Sequence, residues 1–139
     1  MMTGIKGINH LAIIVDDFDK ALPFWQDALG LQVQGIEEVP EEQVSVAFIP
    51  LGASKIELIK PESSDSGVAK YLERRGAGLH HVCLEVDDLD ALLARFVETG
   101  IRMINDVPRT SPDGRRYAFV HPKSTNGVLV ELYEVTGRD

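Results

Sequence analysis

The chain has 139 residues, 44% of them hydrophobic, and a formal net charge of −8. That length fits one domain or two small halves sharing a core, and the acidic balance argues against general nucleic-acid binding. A single cysteine, Cys83, excludes an intramolecular disulfide, no apolar run reaches the roughly 18 residues of a membrane span, and "MMTGIKGINH" carries no apolar signal core, so a cytosolic setting is expected.

In chain order, "HLAIIV" (His10–Val15) reads as a strand, rich in β-branched and apolar residues. "DDFDKALPFWQDALG" follows as a helix, with apolar residues at 18, 21, 22, 25, 28 and 29 and Gly30 as the stop. Asp16, Asp17 and Asp19 are the cap candidates; Pro23 fits only near a helix start, which allows a cap as late as Asp19, and Phe24 and Trp25 are expected to pack between helix and sheet. "LQVQGIEEV", "VSVAFIPLG" and "SKIELIK" read as three strands with turn residues between them. A turn-rich segment then leads to a short helix, "GVAKYLERR", ending at Gly76. The pattern now recurs: strand "HVCLEV", helix "DDLDALLARFVETG" stopped by Gly100, and strands "IRMINDV", "RRYAFVH" and "GVLVELYEV".

The recurrence is visible in single residues. At an offset of 71, Ile8, His10, Leu11, Val15, Asp16, Asp17 and Asp19 match Leu79, His81, Val82, Val86, Asp87, Asp88 and Asp90. At 74, "KIELI" (Lys55–Ile59) matches "LVELY" (Leu129–Tyr133), which makes Glu57 the counterpart of Glu131. The expected fold is therefore α+β: two tandem βαβββ modules related by a pseudo-two-fold, with curved mixed sheets enclosing a metal-binding cleft. The whole chain, 1–139, is read as one domain. Module 1 covers about 5–61, a linker with a short helix 62–77, and module 2 about 78–135.

Residues two apart on a strand share a face. His10 thus goes with Ala12 and Ile14, and His81 with Cys83 and Glu85, and equivalent strands bring both histidines to one cleft with Glu57 and Glu131. A lone strand histidine is usually a packed residue, and a duplicated half can retain residues that merely pack. A carboxylate inside an apolar strand is rarer, because it is seldom buried unless paired or metal-bound. Two histidines with two glutamates favour a divalent ion such as Zn, Co, Mn, Ni or Fe(II). His80 is expected to point away from His81, His121 to lie in a loop, and Cys83 to be a small buried residue.

"INHLAIIVDDFDKALPFWQDALGLQV", "KIELIKP", "GLHHVCLEVDDLDALL" and "HPKSTNGVLVEL" resemble the vicinal oxygen chelate superfamily and, more narrowly, its methylmalonyl-CoA epimerase family. The resemblance spans about Ile5 to Val135. It implies a homodimeric, metal-dependent isomerase with an acyl-CoA substrate, cobalt as the favoured ion (Zn, Mn or Ni otherwise), and no nucleic-acid or membrane partner. It implies metal ligands His10, His81 and Glu131, with Glu57 in the fourth position, where some relatives carry Gln. Some bacterial relatives hold a further catalytic Glu where this chain has Val46, so the second base is open.

The implied reaction removes a proton from the carbon between a thioester and a carboxylate and returns it on the other face, through an enolate that a metal stabilises. Glu131 is the first candidate base and Glu57 the second. A metal-bound carboxylate is a weakened base, and sequence alone leaves this open. Coenzyme A phosphates need basic partners. Pro108–Gly127 carries Arg109, Arg115, Arg116 and Lys123 against Asp113 alone. Arg115, Arg116 and Lys123 are the main candidates, with Lys70, Arg74 and Arg75 in the linker. Two other readings stand beside this one: a glyoxalase or Fe(II) extradiol dioxygenase of the same architecture, and a metal-free small-molecule-binding module.

Overall fold

The computed structural model describes residues 4–135. Residues 10–80 form one compact unit, and residues 4–9 with 81–135 form a second.

The first unit holds the second half of strand β1 (Ile5–Ile14), helix α1 (Phe18–Leu22), strands β2 (Gly35–Val39), β3 (Val44–Leu51) and β4 (Ser54–Pro61), and helix α2 (Gly67–Arg75). Its strands run in the order β2-β3-β4-β1, antiparallel at the first two pairings and parallel between β4 and β1. The second unit contains most of β5 (Gly78–Val86), then α3 (Leu89–Thr99), β6 (Arg109–Thr110), β7 (Arg116–Val120) and β8 (Val130–Glu134). Its order, β5-β8-β7-β6, repeats the pattern of one parallel and two antiparallel pairings. Each unit thus realises the βαβββ sequence read from the repeat.

Alternation along the strands decides what each sheet face does. In the first unit, Val15, Ala47, Ile49, Ile56 and Leu58 form a buried cluster against Phe18, Ala21, Leu22 and Trp25. In the second, Val86, Leu89, Val120 and Leu132 do the same against Leu92, Leu93 and Phe96. A fully buried Leu or Ile contributes about 2 kcal/mol over an exposed one, so these helix-covered faces set the strand register. The residues of opposite parity are left on the other face.

The caps follow local chemistry. Asp88 accepts from the Ala91 amide at 3.0 Å at the start of α3. Gly100 closes that helix at φ 78°, a conformation that carries no steric cost only for glycine. In α1 the cap is Asp17, one of the three candidates, which accepts from the Lys20 amide at 2.8 Å. Pro23 is accommodated differently from the expectation. The chain widens into a π-helical stretch over Pro23–Ala28, where the Leu29 amide bonds the Phe24 carbonyl. Pro23 lacks an amide hydrogen and its ring crowds the preceding turn, and the wider turn relieves both. Trp25 packs in the core as expected, but Phe24 is 53% exposed and lies edge-on against Trp25.

Two expected strands are shortened. Leu31–Gln34 stay outside β2. "IRMINDV" contributes only a single bridge, Met103 to Val120. There the Asn105 side chain accepts from the Phe119 amide at 3.0 Å and donates to the Val107 carbonyl at 3.0 Å. A side chain occupies a ladder position, and regular pairing resumes only at β6. Among the described residues, no helix is long and apolar enough to cross a membrane.

Candidate metal centre

The sheet face of the first unit opposite α1 carries His10. Its Cα partner on β4 is Lys55, and Glu57 pairs with Ala12 one step along. His10 Nδ1 lies 3.4 Å from Glu57 Oε2. In the second unit Glu131 pairs with Cys83 on β5 and with Phe119 on β7. His81 Nε2 lies 3.1 Å from Glu131 Oε1, and Phe119 meets the His81 ring edge-on at 5.5 Å between centroids. His10, His81 and Glu131 are buried, and Glu57 is nearly so. The duplicated sequence has therefore produced a duplicated pair, in each unit a buried histidine against a carboxylate.

The donor chemistry fits a divalent ion. Imidazole nitrogens and carboxylate oxygens suit Zn, Co, Mn, Ni and Fe(II). A buried carboxylate also needs a cation or several donors beside it. Cys83 is fully buried on the His81 face. His80 lies edge-on to Tyr71 at 4.8 Å. His121 precedes the 3-10 turn Pro122–Ser124, where its Nδ1 accepts from the Lys123 amide at 3.1 Å. Burial, with Arg102 and Lys123 nearby, holds its imidazole below the usual range. Val46 is buried, with Glu37 of β2 and Ile59 of β4 as its cross-strand partners.

The basic candidates separate. Arg116 is engaged: it forks onto Asp90 with two bonds of 3.1 Å and reaches Glu134 at 3.1 Å. Both carboxylates push its guanidinium further above its already high range, and Glu134 also accepts from the Leu89 amide at the start of α3. Arg115 lies over the Tyr133 ring at 5.8 Å. Lys123 is exposed. In the linker, Lys70 is exposed, Arg75 lies over Tyr71 at 5.7 Å, and Arg74 lines a cavity of about 530 Å³ with Tyr71 and His80.

One feature of the Glu131 face has no signal in the sequence. Tyr133, two residues along β8, donates to Asp113 at 2.8 Å. Asp113 also accepts from the Ser111 hydroxyl and from the Arg115 amide. The β6–β7 turn is thereby tied to β8. Burial and the Asp113 bond raise the Tyr133 phenol to about 12, and the same partners hold the Asp113 carboxyl below its usual range.

A family model for the glyoxalase/bleomycin resistance protein/dioxygenase superfamily matches residues 9–119, and the chain belongs to that superfamily. The mitochondrial methylmalonyl-CoA epimerase of Mus musculus is 42% identical over 126 residues, covering 90% of this chain and 71% of its own. The crystal structure of methylmalonyl-CoA epimerase from Mycobacterium tuberculosis matches with a TM-score of 0.84 at 31% identity, covering 99% of this chain and 93% of that one. A methylmalonyl-CoA epimerase solved in complex with methylmalonyl-CoA and NH4+ matches with a TM-score of 0.81 at 33% identity, covering 96% of each chain. Within the superfamily the chain belongs with the methylmalonyl-CoA epimerases, a family of isomerases, and the α+β class expected from the repeat holds.

Proposed function

We propose that the protein interconverts (R)- and (S)-methylmalonyl-CoA by removing and returning the proton α to the thioester, with one divalent ion held by His10, His81 and Glu131 and with Glu57 beside it. The observation that carries the reading is the duplicated pair: each unit sets a buried histidine against a glutamate on the sheet face opposite the one packed by α1 or α3. His10, His81 and Glu131 are of the types and burial that ligate metals, and a relative has been solved with methylmalonyl-CoA bound.

A divalent ion in such a site supplies Lewis acidity where negative charge develops on the substrate's oxygens. The chain supplies the rest. The apolar strands around Ala12, Ile14 and Cys83 exclude water from the histidines. Glu131 takes the proton from one epimer, and Glu57, its counterpart, serves the opposite face. Val46 offers no carboxyl there, which leaves Glu57 as the second-side carboxylate. Cobalt as the ion, a homodimer and a cytosolic setting are expectations of the resemblance within this same reading.

The test is proton-exchange NMR on methylmalonyl-CoA in deuterated water with metal-reconstituted protein. Exchange of the α-proton with inversion is the expected result. A protein that binds metal and exchanges no α-proton excludes the epimerase reading.

A further inference from the structure

The duplicated pairs are nearly symmetric, whereas the substrate is not: one end is a small carboxylate and the other a long, phosphorylated thioester. Something on the same face must break the symmetry to orient it. The repeat itself shows where it breaks. Lys55 occupies the position that Leu129 fills in the second copy. It stands two residues before Glu57, on the same face, with His10 and Pro50 as its cross-strand partners.

Lys55 is only half-exposed. Among the described residues its ammonium has no hydrogen-bond or ion-pair partner. It lines a cavity of about 290 Å³ with Gln34, Gly35, Glu37 and Phe48, and Phe48 is the cross-strand partner of Glu57. A partly desolvated lysine beside a cavity attracts anions more strongly than a fully solvated one. Lys60 on the same strand shows the ordinary alternative, paired with Glu62 at 2.9 Å.

We infer that Lys55 and its cavity form an anion-binding subsite that takes an oxyanion of the acyl-CoA and so fixes which way the substrate lies across the paired histidines and glutamates. The inference rests on the proposed acyl-CoA chemistry. Two oxyanions of one ligand have the required chemistry, the acyl carboxylate and the coenzyme A phosphates, and binding separates them.

The experiment compares the wild type with Lys55→Met and Lys55→Arg by calorimetric titration with malonyl-CoA, which carries both anions, and propionyl-CoA, which carries only the phosphates. Metal content and Tm are followed in parallel. An ammonium bonded to an anion makes Lys55→Met weaken binding about 10- to 100-fold, with Lys55→Arg restoring most of it. Weakening of both ligands assigns the phosphates; weakening of malonyl-CoA alone assigns the carboxylate. Should Lys55→Met unfold, the same comparison is made with Lys55→Gln. Unchanged affinity for both ligands, with metal and fold intact, overturns the subsite. Binding lost as expected in a protein that exchanges no α-proton keeps the subsite and overturns the epimerase reading.

Discussion

His81 Nε2 lies 3.1 Å from Glu131 Oε1, and both side chains are buried. The proximity follows from register: Glu131 is level with Cys83 on the neighbouring parallel strand, two residues from His81 on one face. A buried carboxylate is strongly destabilising once its partner is removed. The pair is therefore either a structural ion pair or two ligands of one ion, and the two roles separate by experiment.

His81→Ala is expected to lower bound metal and epimerase activity together. The loss of metal affinity should exceed the 10- to 100-fold typical when a residue that only supports a ligand is removed. Metal analysis after dialysis, beside the rate, checks it. Full activity in thoroughly chelated protein would falsify the metal role.

Glu57→Gln, with metal retained, should stop inversion while one epimer continues to exchange its α-proton with solvent. Glu131→Gln, in protein shown by metal analysis to keep its ion, should leave exchange of the other epimer. A lost base costs about 10²- to 10⁴-fold, well within the range of NMR exchange rates measured on separate epimers. If Glu57→Gln inverts both epimers at the wild-type rate, Glu57 is not the second base.

Arg116 binds Asp90 and Glu134, and Glu134 in turn accepts from the first amide of α3. Arg116→Met should therefore act on stability rather than on substrate. The expected loss is about 1–2 kcal/mol, a fall in Tm of roughly 3–6 °C, with KM for the acyl-CoA changed less than about twofold. A tenfold rise in KM at unchanged Tm would mean that the guanidinium leaves its carboxylates for the substrate.

The Tyr133–Asp113 tie makes the β6–β7 turn sensitive to pH at both extremes. The folded phenol titrates at about 12, above the unfolded value near 10. Its contribution is thus complete below about pH 10 and lost as pH rises towards 12. Asp113 is shifted down, so its contribution is complete above about pH 4 and lost as pH falls through the lowered value. Ultraviolet titration of the three tyrosines should show one late phase that Tyr133→Phe removes. Three phenols titrating together near pH 10 would rule out the tie.

What could be read from the chain alone was whatever depends on local order. The offset repeat matched His10 to His81 and Glu57 to Glu131 as counterparts. Parity along each strand assigned helix-covered and uncovered faces, because alternation is built into an extended backbone. Gly100 ended α3 because the C-terminal stop is settled within a few residues. The βαβββ order of each unit followed from the same periodicities.

Tertiary structure decided the features that depend on partners far along the chain. Pro23 became part of a π-helical stretch because the helix is held against Val15, Ile56 and Leu58 on both sides of it, so widening one turn preserved packing that a break would have lost. Asn105 ended an expected strand because the Phe119 amide lay within reach of its side chain. Arg116 is tied to α3 and β8, since Asp90 and Glu134 arrive beside it from 26 residues before and 18 after. Lys55 and Arg116 are both basic residues on strands, and only register and long-range pairing within the chain separate one lining a cavity from one bound by two carboxylates. Sequence periodicity specifies the direction in which a side chain points; the partner it meets depends on segments brought alongside by the packing of the whole sheet.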